Sequence, residues 1–331
     1  MNGVEMATIG IRPERRWKSR GFTLVELLTV IVIIGILIAL ISAATITARA
    51  RAREAAIYTQ IKQLEAALME YKNQFGEFPP DFSGPNRNLD IERHIRRRWP
   101  RFRVDPSVVN SPTPLYDTLK LRLANEYNID LDALDARSAL VFWLGGLPDI
   151  KPGDPFLQPG SVYKPVGFHA DEANPVQRGE PRTGSLFEFD PTKIAWTGSP
   201  ISVMTYVPDT RIVSDSNQPP SVVYFRSDRA PDGTRTYATK HLIVVVGESG
   251  EPVHLGCVPY RVSTSENWRN PDSFQLIHPG LDGDYGGPRR LNEYGQPEPT
   301  TWPISDNGVN FTKGDYDNIT NFATRLENEI K

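Results

Sequence analysis

An unbroken apolar run near the amino terminus constrains this chain more than any other feature of its sequence. The twenty residues from Leu27 to Ile46, LLTVIVIIGILIALISAATI, contain no charged side chain. At a rise of about 1.5 Å per residue, a helix of this length spans roughly 30 Å, which is the apolar thickness of a bilayer. The run therefore predicts a membrane-spanning helix, because a soluble core helix of this purity is unusual.

The charges on either side of the run favour a cytoplasmic amino terminus. Three arginines follow it within ARARAR, residues 48–53. The leader, residues 1–20, has two acidic residues, Glu5 and Glu14, and a larger set of basic ones: Arg12, Arg15, Arg16, Lys18 and Arg20. Positive residues accumulate on the cytoplasmic side of a membrane span. The larger count therefore predicts a single-pass protein whose carboxy-terminal part lies across the membrane.

A single carboxylate, Glu26, lies at the edge of the apolar run. An ionisable group in such a segment is costly and indicates a functional role. A plain membrane anchor does not account for it. A secretory signal peptide does not account for it either, and its apolar region is usually about 7–15 residues long. The tripeptide ARA at residues 48–50 is nevertheless similar to a small-residue cleavage site.

The hexapeptide GFTLVE, Gly21 to Glu26, resembles the class III signal of type IV pilins and of the pseudopilins of type II secretion systems. A basic leader precedes it and the apolar run follows it, as in that family. The resemblance implies that a membrane-embedded prepilin peptidase cuts after Gly21. It also implies that Phe22 becomes the methylated amino terminus and that Glu26 stays in the mature protein.

The chemistry of a buried carboxylate gives Glu26 a role in assembly. Such a group must be paired or neutralised. Cleavage after Gly21 creates an α-amine on Phe22, and this amine can pair with Glu26 of a neighbouring subunit when helices stack. Any other axial register leaves a charge unpaired, so the pair favours one register. We therefore expect Glu26 to be needed for ordered polymerisation.

The helical pattern continues beyond the apolar run. One apolar stripe recurs every three or four residues: Ile57, Ile61, Leu64, Leu68, Tyr71 and Phe75. Gly76 and the Pro79–Pro80 pair end the pattern, so one helix is predicted from about Phe22 to Asn73. Residues 61–79 are also similar to the major pseudopilin of type II secretion. That resemblance implies that the second half of the helix packs on an antiparallel sheet.

The rest of the chain predicts an α+β fold. Apolar runs bounded by turn residues predict strands within ISVMTYVP, PSVVYFRS, HLIVVVGESGEPV and SFQLIHPG. Helices first and strands later favour an antiparallel sheet, here a pilin-like fold with large inserted loops. The basic segment IERHIRRRWPRFR, residues 91–103, is either a solvated face or a site for an anionic partner such as lipid headgroups.

Composition limits the possible functions. The chain has 37 Lys and Arg against 40 Asp and Glu, which argues against a nucleic-acid binder. It contains no nucleophile elbow, P-loop or HExxH motif, so we expect a protein that is not an enzyme. Cys257 is the only cysteine, so no disulfide can form within the chain.

Two Asp-bearing pieces near the carboxy terminus are either simple surface turns or a calcium site. They are GLDGDYGG, residues 280–287, and TKGDYDNITNF, residues 312–322. Calcium prefers six to eight oxygens from carboxylates and backbone carbonyls. The carboxylates available are Asp282, Asp284, Asp315 and Asp317. Major pseudopilins have a similar Gly-x-Asp-Gly loop and a second Asp-containing piece, and this resemblance adds Asn318 to the ligand set.

These observations predict a structural subunit of a pseudopilus that supports protein export by a type II secretion system. The predicted segments are a leader (1–21), an assembly helix (22–47), the second half of the helix (48–82) and a periplasmic domain (83–331). The predicted partners are further copies of the chain, minor pseudopilins, the prepilin peptidase and the inner-membrane secretion platform. Two alternatives remain open: a type IV pilus subunit for adhesion, motility or DNA uptake, and a membrane-anchored envelope enzyme or binding protein.

Overall fold

The computed structural model describes thirteen stretches of the chain: residues 22–84, 86–198, 200–201, 203–211, 220–229, 235–237, 244–246, 252–254, 257, 259–262, 268–285, 300–302 and 317–324. The chain divides into two compact units, Met1–Arg49 and Ala50–Lys331. The predicted leader, residues 1–21, lies outside the described residues.

A single helix of 52 residues, α1 (Leu24–Phe75), begins the described chain. This confirms the long helix that the sequence predicts. It ends at Phe75, and the next residue, Gly76, has a φ of 81°, the left-handed conformation that glycine adopts after a helix. The Gly76 amide donates to the Lys72 carbonyl at 2.7 Å. Among the helices that the structure describes, α1 alone is long and apolar enough to cross a membrane.

Two shorter α-helices follow. They are α2 (Arg87–Arg98) and α3 (Pro114–Tyr127). Single turns of 3₁₀-helix occupy Pro106–Val108, Leu131–Ala133 and Pro191–Lys193, and a π-helical turn occupies Val141–Gly145. The basic segment of residues 91–103, for which two interpretations were open, forms most of α2 and the turn after it. Arg93, Arg96 and Arg97 are exposed on this helix, whereas Ile91 and Ile95 are buried.

The strands come in the second half of the chain. Their bounds are β1 (Ile194–Thr197), β2 (Val203–Tyr206), β3 (Val223–Arg229), β4 (Arg235–Tyr237), β5 (Val244–Val246), β6 (Pro252–His254), β7 (Tyr260–Val262), β8 (Phe274–His278), β9 (Thr300–Trp302) and β10 (Ile319–Thr320). The largest sheet has the order β10–β8–β3–β4 and is antiparallel throughout. The pairs β1–β2 and β5–β6 are also antiparallel, whereas β7 and β9 run parallel.

Alternate residues of the four-stranded sheet enter two different apolar clusters. Tyr224 of β3 and Leu276 of β8 join the larger cluster, whereas Val223 and Phe225 of β3 join the smaller one. This follows from the period of two in a strand, which sends successive side chains to opposite faces. Both faces of the sheet are therefore buried.

The apolar stripe of α1 packs in the larger cluster. Five of its six predicted members are buried there, and Phe75 packs against it from the edge: Ile57, Ile61, Leu64, Leu68 and Tyr71. Two polar contacts add to this packing. Tyr206 of β2 donates from its hydroxyl to Gln60 at 2.5 Å, and Lys62 Nζ donates to the Asn321 carbonyl at 2.8 Å. The second half of α1 thus packs on the antiparallel sheet, as the resemblance implied.

A buried arginine connects the sheet to the segment that follows α1. The amide of Arg226 in β3 donates to Asp81 Oδ2 at 2.8 Å, and its guanidinium donates to Asp90 and Asp228. Burial raises the pKa of Asp81, and the nearby Arg226 charge opposes that shift. A buried charge is tolerated only when it is paired. This network therefore fixes α2 and the loop before it against β3 of the sheet.

Candidate functional site

Glu26 lies in the first turn of α1, where it forms a reciprocal cap with Thr23. The amide and the hydroxyl of Thr23 donate to Glu26 Oε2 at 2.9 and 2.8 Å, and the Glu26 amide donates to Thr23 Oγ1 at 3.2 Å. This is a capping box, in which two otherwise unsatisfied amides at a helix start are both satisfied. The Glu26 carboxylate is therefore hydrogen-bonded to Thr23, the residue that follows Phe22, close to the predicted cut.

The surface around this carboxylate is apolar and exposed. Phe22 is 80% exposed and Leu24 is 79% exposed, and the large apolar side chains from there to Ile46 are likewise mostly uncovered. Contiguous apolar surface of this extent indicates a membrane or a protein partner. Of the two predicted processing residues, Phe22 is therefore exposed beside the cap, and Gly21 lies outside the described residues.

Thr23 is part of this cap but is not among the site residues predicted from the sequence. Its signal was present, because Thr-Leu-Val-Glu fits the capping-box pattern of Ser or Thr followed three residues later by Glu. The predicted family signal and the cap use the same four residues. Glu26 thus has a local role in starting α1 in addition to its predicted role between subunits.

The second candidate site is the carboxy-terminal turn, where the structure brings Asp282 and Asp317, one from each Asp-bearing piece, close together. Asp317 Oδ2 accepts from the amides of Leu281 and Asp282 at 2.8 and 3.3 Å. Asp282 Oδ1 in turn accepts from the Asp284 amide at 2.9 Å. The two Asp-bearing pieces, distant in sequence, therefore contact each other directly.

The carboxylates of this turn repel one another. Burial, together with the negative charges of Asp317 and Asp284, raises the pKa of Asp282 to about 6, and a hydrogen bond from the Asp284 amide opposes this shift. Like charges at close range disfavour ionisation of one another. A bound cation would relieve this repulsion, which makes the turn chemically suited to a hard divalent ion.

Asn318 is fully buried beside these carboxylates. Its Nδ2 donates to the Tyr260 hydroxyl at 2.8 Å and to the Tyr285 carbonyl at 3.2 Å. Its Oδ1 accepts no hydrogen bond from the described residues. An amide oxygen buried without a donor is a suitable ligand for calcium, so the residue types present here fit that ion.

The described part of the turn does not itself form a complete metal site. Within it, no three His, Cys, Asp or Glu side chains are arranged to hold one ion. The carboxylates of Asp282 and Asp317 accept instead from backbone amides. Asp315 lies outside the described residues. The calcium ligand set therefore stays a prediction.

The carboxy-terminal turn is attached to α1 and to the sheet through Asn321. The Asn321 carbonyl accepts from Lys62 Nζ of α1, and Asn321 Oδ1 accepts from the Leu276 amide of β8 at 3.0 Å. Neither contact was predicted from the sequence, because each joins residues far apart in the chain. The turn thus has a direct polar connection to the second half of α1.

Comparison with known proteins gives one match. The family described as "Prokaryotic N-terminal methylation motif" matches residues 18–42, which include the predicted cut, the capping box and most of the apolar run. No curated protein and no solved structure matches the chain. The motif supports a type IV pilin-like protein, a subunit of a pilus or of a pseudopilus. It implies processing by a prepilin peptidase and pilin-type polymerisation.

Proposed function

We propose that this chain is a structural subunit of a pseudopilus, which polymerises in the inner membrane and supports protein export by a type II secretion system. The observation that carries the proposal is the position of Glu26. It lies in a capping box at the start of a 52-residue helix whose first half exposes apolar side chains. Cleavage after Gly21 puts a new amine beside this carboxylate.

Assembly follows from the chemistry of these groups. In apolar surroundings an unpaired ion is costly, so the Phe22 amine of one subunit and Glu26 of a neighbour favour the register in which they pair. The exposed apolar surface of α1 supplies the helix contacts, and small residues such as Gly35 allow close approach. The two interactions together select one stacking of subunits.

Two features of the sequence favour a pseudopilus over a surface pilus. The single cysteine excludes a disulfide within the carboxy-terminal domain, and the Asp-Gly turn is similar to that of major pseudopilins. The partners in this proposal are other copies of the chain, minor pseudopilins, the prepilin peptidase and the secretion platform. The domain after α1 then lies in the periplasm and has no catalytic role.

The test of this proposal separates the charge of Glu26 from its cap. Glu26→Gln keeps a side chain that can cap Thr23 but removes the charge, whereas Glu26→Leu removes both. We expect both variants to insert into the membrane, to be cleaved, and to give no ordered filaments by electron microscopy. Glu70→Gln, an exposed site in the second half of α1, is the matched control and should assemble normally. Normal filaments from Glu26→Gln would contradict the charge-pair account.

Calcium binding at the carboxy-terminal turn is the second part of the proposal. Asp282, Asp284, Asp315, Asp317 and Asn318 are the residues that would hold the ion, and the ion would order the turn as a substitute for a disulfide. We expect calcium to raise the melting temperature of the full chain, because a ligand that binds only the folded state stabilises it. The Asp282→Asn/Asp317→Asn variant should lose this effect. Unchanged melting of the wild-type chain in chelator would contradict calcium binding.

A further inference from the structure

Two arginines of α1 lie just beyond the apolar run and have no partner among the described residues. Arg49 and Arg51 are both exposed, and neither makes an ion pair or a side-chain hydrogen bond within the described part of the chain. The next arginine differs from them. Arg53 Nε lies 4.0 Å from Asp209 Oδ2, so its charge is partly compensated.

The depth of these two arginines follows from helix geometry. The apolar run ends at Ile46, and α1 continues without a break to Phe75. At about 1.5 Å per residue, Arg49 lies about 4.5 Å and Arg51 about 7.5 Å beyond the end of the run. The polar headgroup layer adds roughly 5–7.5 Å on each side of the hydrocarbon core. Both guanidinium groups therefore reach the level of the lipid phosphates.

The angular positions of the arginines identify the kind of partner. Each residue turns the helix by about 100°, so Arg49 and Arg51 project about 160° apart around its axis. A protein surface that contacts one side of α1 covers one of them and leaves the other free. A headgroup layer surrounds the helix and reaches both.

We infer that Arg49 and Arg51 bind the phosphate groups of anionic phospholipids in the leaflet where α1 leaves the membrane. The inference rests on the membrane insertion of α1 in the proposed function. Guanidinium groups suit this ligand because their planar array of donors matches phosphate oxygens. The contact fixes the depth of α1 in the bilayer before the subunit enters a filament. The lipid phosphates also compensate the positive charge of these arginines on the periplasmic side of the membrane, where arginine is otherwise disfavoured.

The test measures lipid preference in the full-length chain. The protein is purified in detergent with equal amounts of phosphatidylglycerol and phosphatidylcholine, and the lipids that stay bound are counted by native mass spectrometry. We expect the wild-type chain to retain phosphatidylglycerol in preference. The preference should fall about fivefold for each arginine removed in Arg49→Gln/Arg51→Gln. High salt should reduce the wild-type preference, because exposed charges are screened.

The matched control is Lys151→Gln/Lys164→Gln, which removes two exposed positive charges outside residues 91–103 and should keep the preference. Equal retention of the two lipids by the wild-type chain would overturn the inference. An equal loss of lipid preference in both double variants would also overturn it. So would an acidic protein that copurifies with the wild-type chain but not with the Arg49→Gln/Arg51→Gln variant.

Alkaline extraction of membranes distinguishes failure of this inference from failure of the proposed function. A chain released by it contradicts the membrane span of the proposed function as well, whereas a retained chain without lipid preference contradicts only the arginine assignment.

Discussion

At the scale of single residues, two turns carry the chemistry of this chain. Thr23 and Glu26 satisfy each other at the start of α1, and the carboxylate that they position is the one the proposed assembly uses. Asp282 and Asp317 are held together at the carboxy-terminal turn by backbone amides. In both places a short polar motif fixes the position of a carboxylate.

Gly280 is required by the geometry of the carboxy-terminal turn. Its φ is 64°, and a Cβ built on it lies 2.3 Å from Asp317 Oδ2. Gly280→Ala is therefore expected to displace the Asp317 carboxylate, in addition to the cost of about 1–2 kcal/mol for a left-handed alanine. The measurement is the free energy of unfolding in denaturant.

Gly160→Ala is the control for that experiment. Gly160 has a φ of 75° but nothing within 4 Å of a built Cβ, so it reports the backbone cost alone. The loss at Gly280 should exceed the loss at Gly160. Equal losses would mean that the Asp317 contact does not constrain the turn.

At the scale of elements, α1 was the most predictable part of the fold. The helical period of its apolar residues, its apolar run and the Gly76 that follows it are each local features of the sequence. They can therefore be recognised without knowledge of the fold. The strands β2, β3 and β8 were found for the same reason. Helix α2 was not predicted, because six arginines within thirteen residues obscure its buried side, which consists of Ile91, Glu92, His94 and Ile95.

The contacts between elements were less predictable than the elements. The parallel pairing of β7 with β9 and the contact of Lys62 with Asn321 depend on residues brought together only by the fold. The processing and assembly residues were predicted because they form one contiguous motif. The ligand set of the carboxy-terminal turn stays a prediction, because its pieces come from separate segments, Asp315 lies outside the described residues and Asn318 also has structural partners.

The stripe of α1 predicts a sharp contrast between its two faces. Leu64 is fully buried in the larger cluster, whereas Met69 is 43% exposed. Leu64→Ala should lower the free energy of unfolding by about 2–5 kcal/mol, because it leaves a cavity. Met69→Ala should stay within about 0.5 kcal/mol of wild type, as surface substitutions do. Denaturant unfolding of both variants measures the contrast, and similar losses would contradict the assigned packing face.

At the scale of the whole molecule, a buried polar chain connects α1 to α2. The Tyr71 hydroxyl donates to His94 Nε2 at 2.6 Å, and His94 Nδ1 donates to Glu77 Oε1 at 2.8 Å. Burial lowers the pKa of His94 to about 4, against the opposing effect of Glu77. The ring is therefore neutral in the folded protein at neutral pH, and its two nitrogens join three segments of the larger unit.

These hydrogen bonds of His94 predict that the folded protein loses stability in acid. The unfolded chain protonates His94 near its ordinary pKa of 6.5, whereas the folded chain does so only near 4. Between these values the unfolded state binds more protons, so the free energy of unfolding falls as the pH falls. The slope from this group is at most about 1.4 kcal/mol per pH unit. Denaturant unfolding across this range should show a smaller slope in His94→Gln than in wild type, and equal slopes would refute the assignment.

The central claim is that this chain is cut at Gly21 and that Phe22 becomes the amino terminus beside Glu26. Intact mass spectrometry of the chain purified from its native membrane tests it most directly. The account predicts a protein that begins at Phe22 and carries the mass of one added methyl group. A protein that still begins at Met1, or that begins after Ile46, would contradict it, because the amine and Glu26 would then never meet.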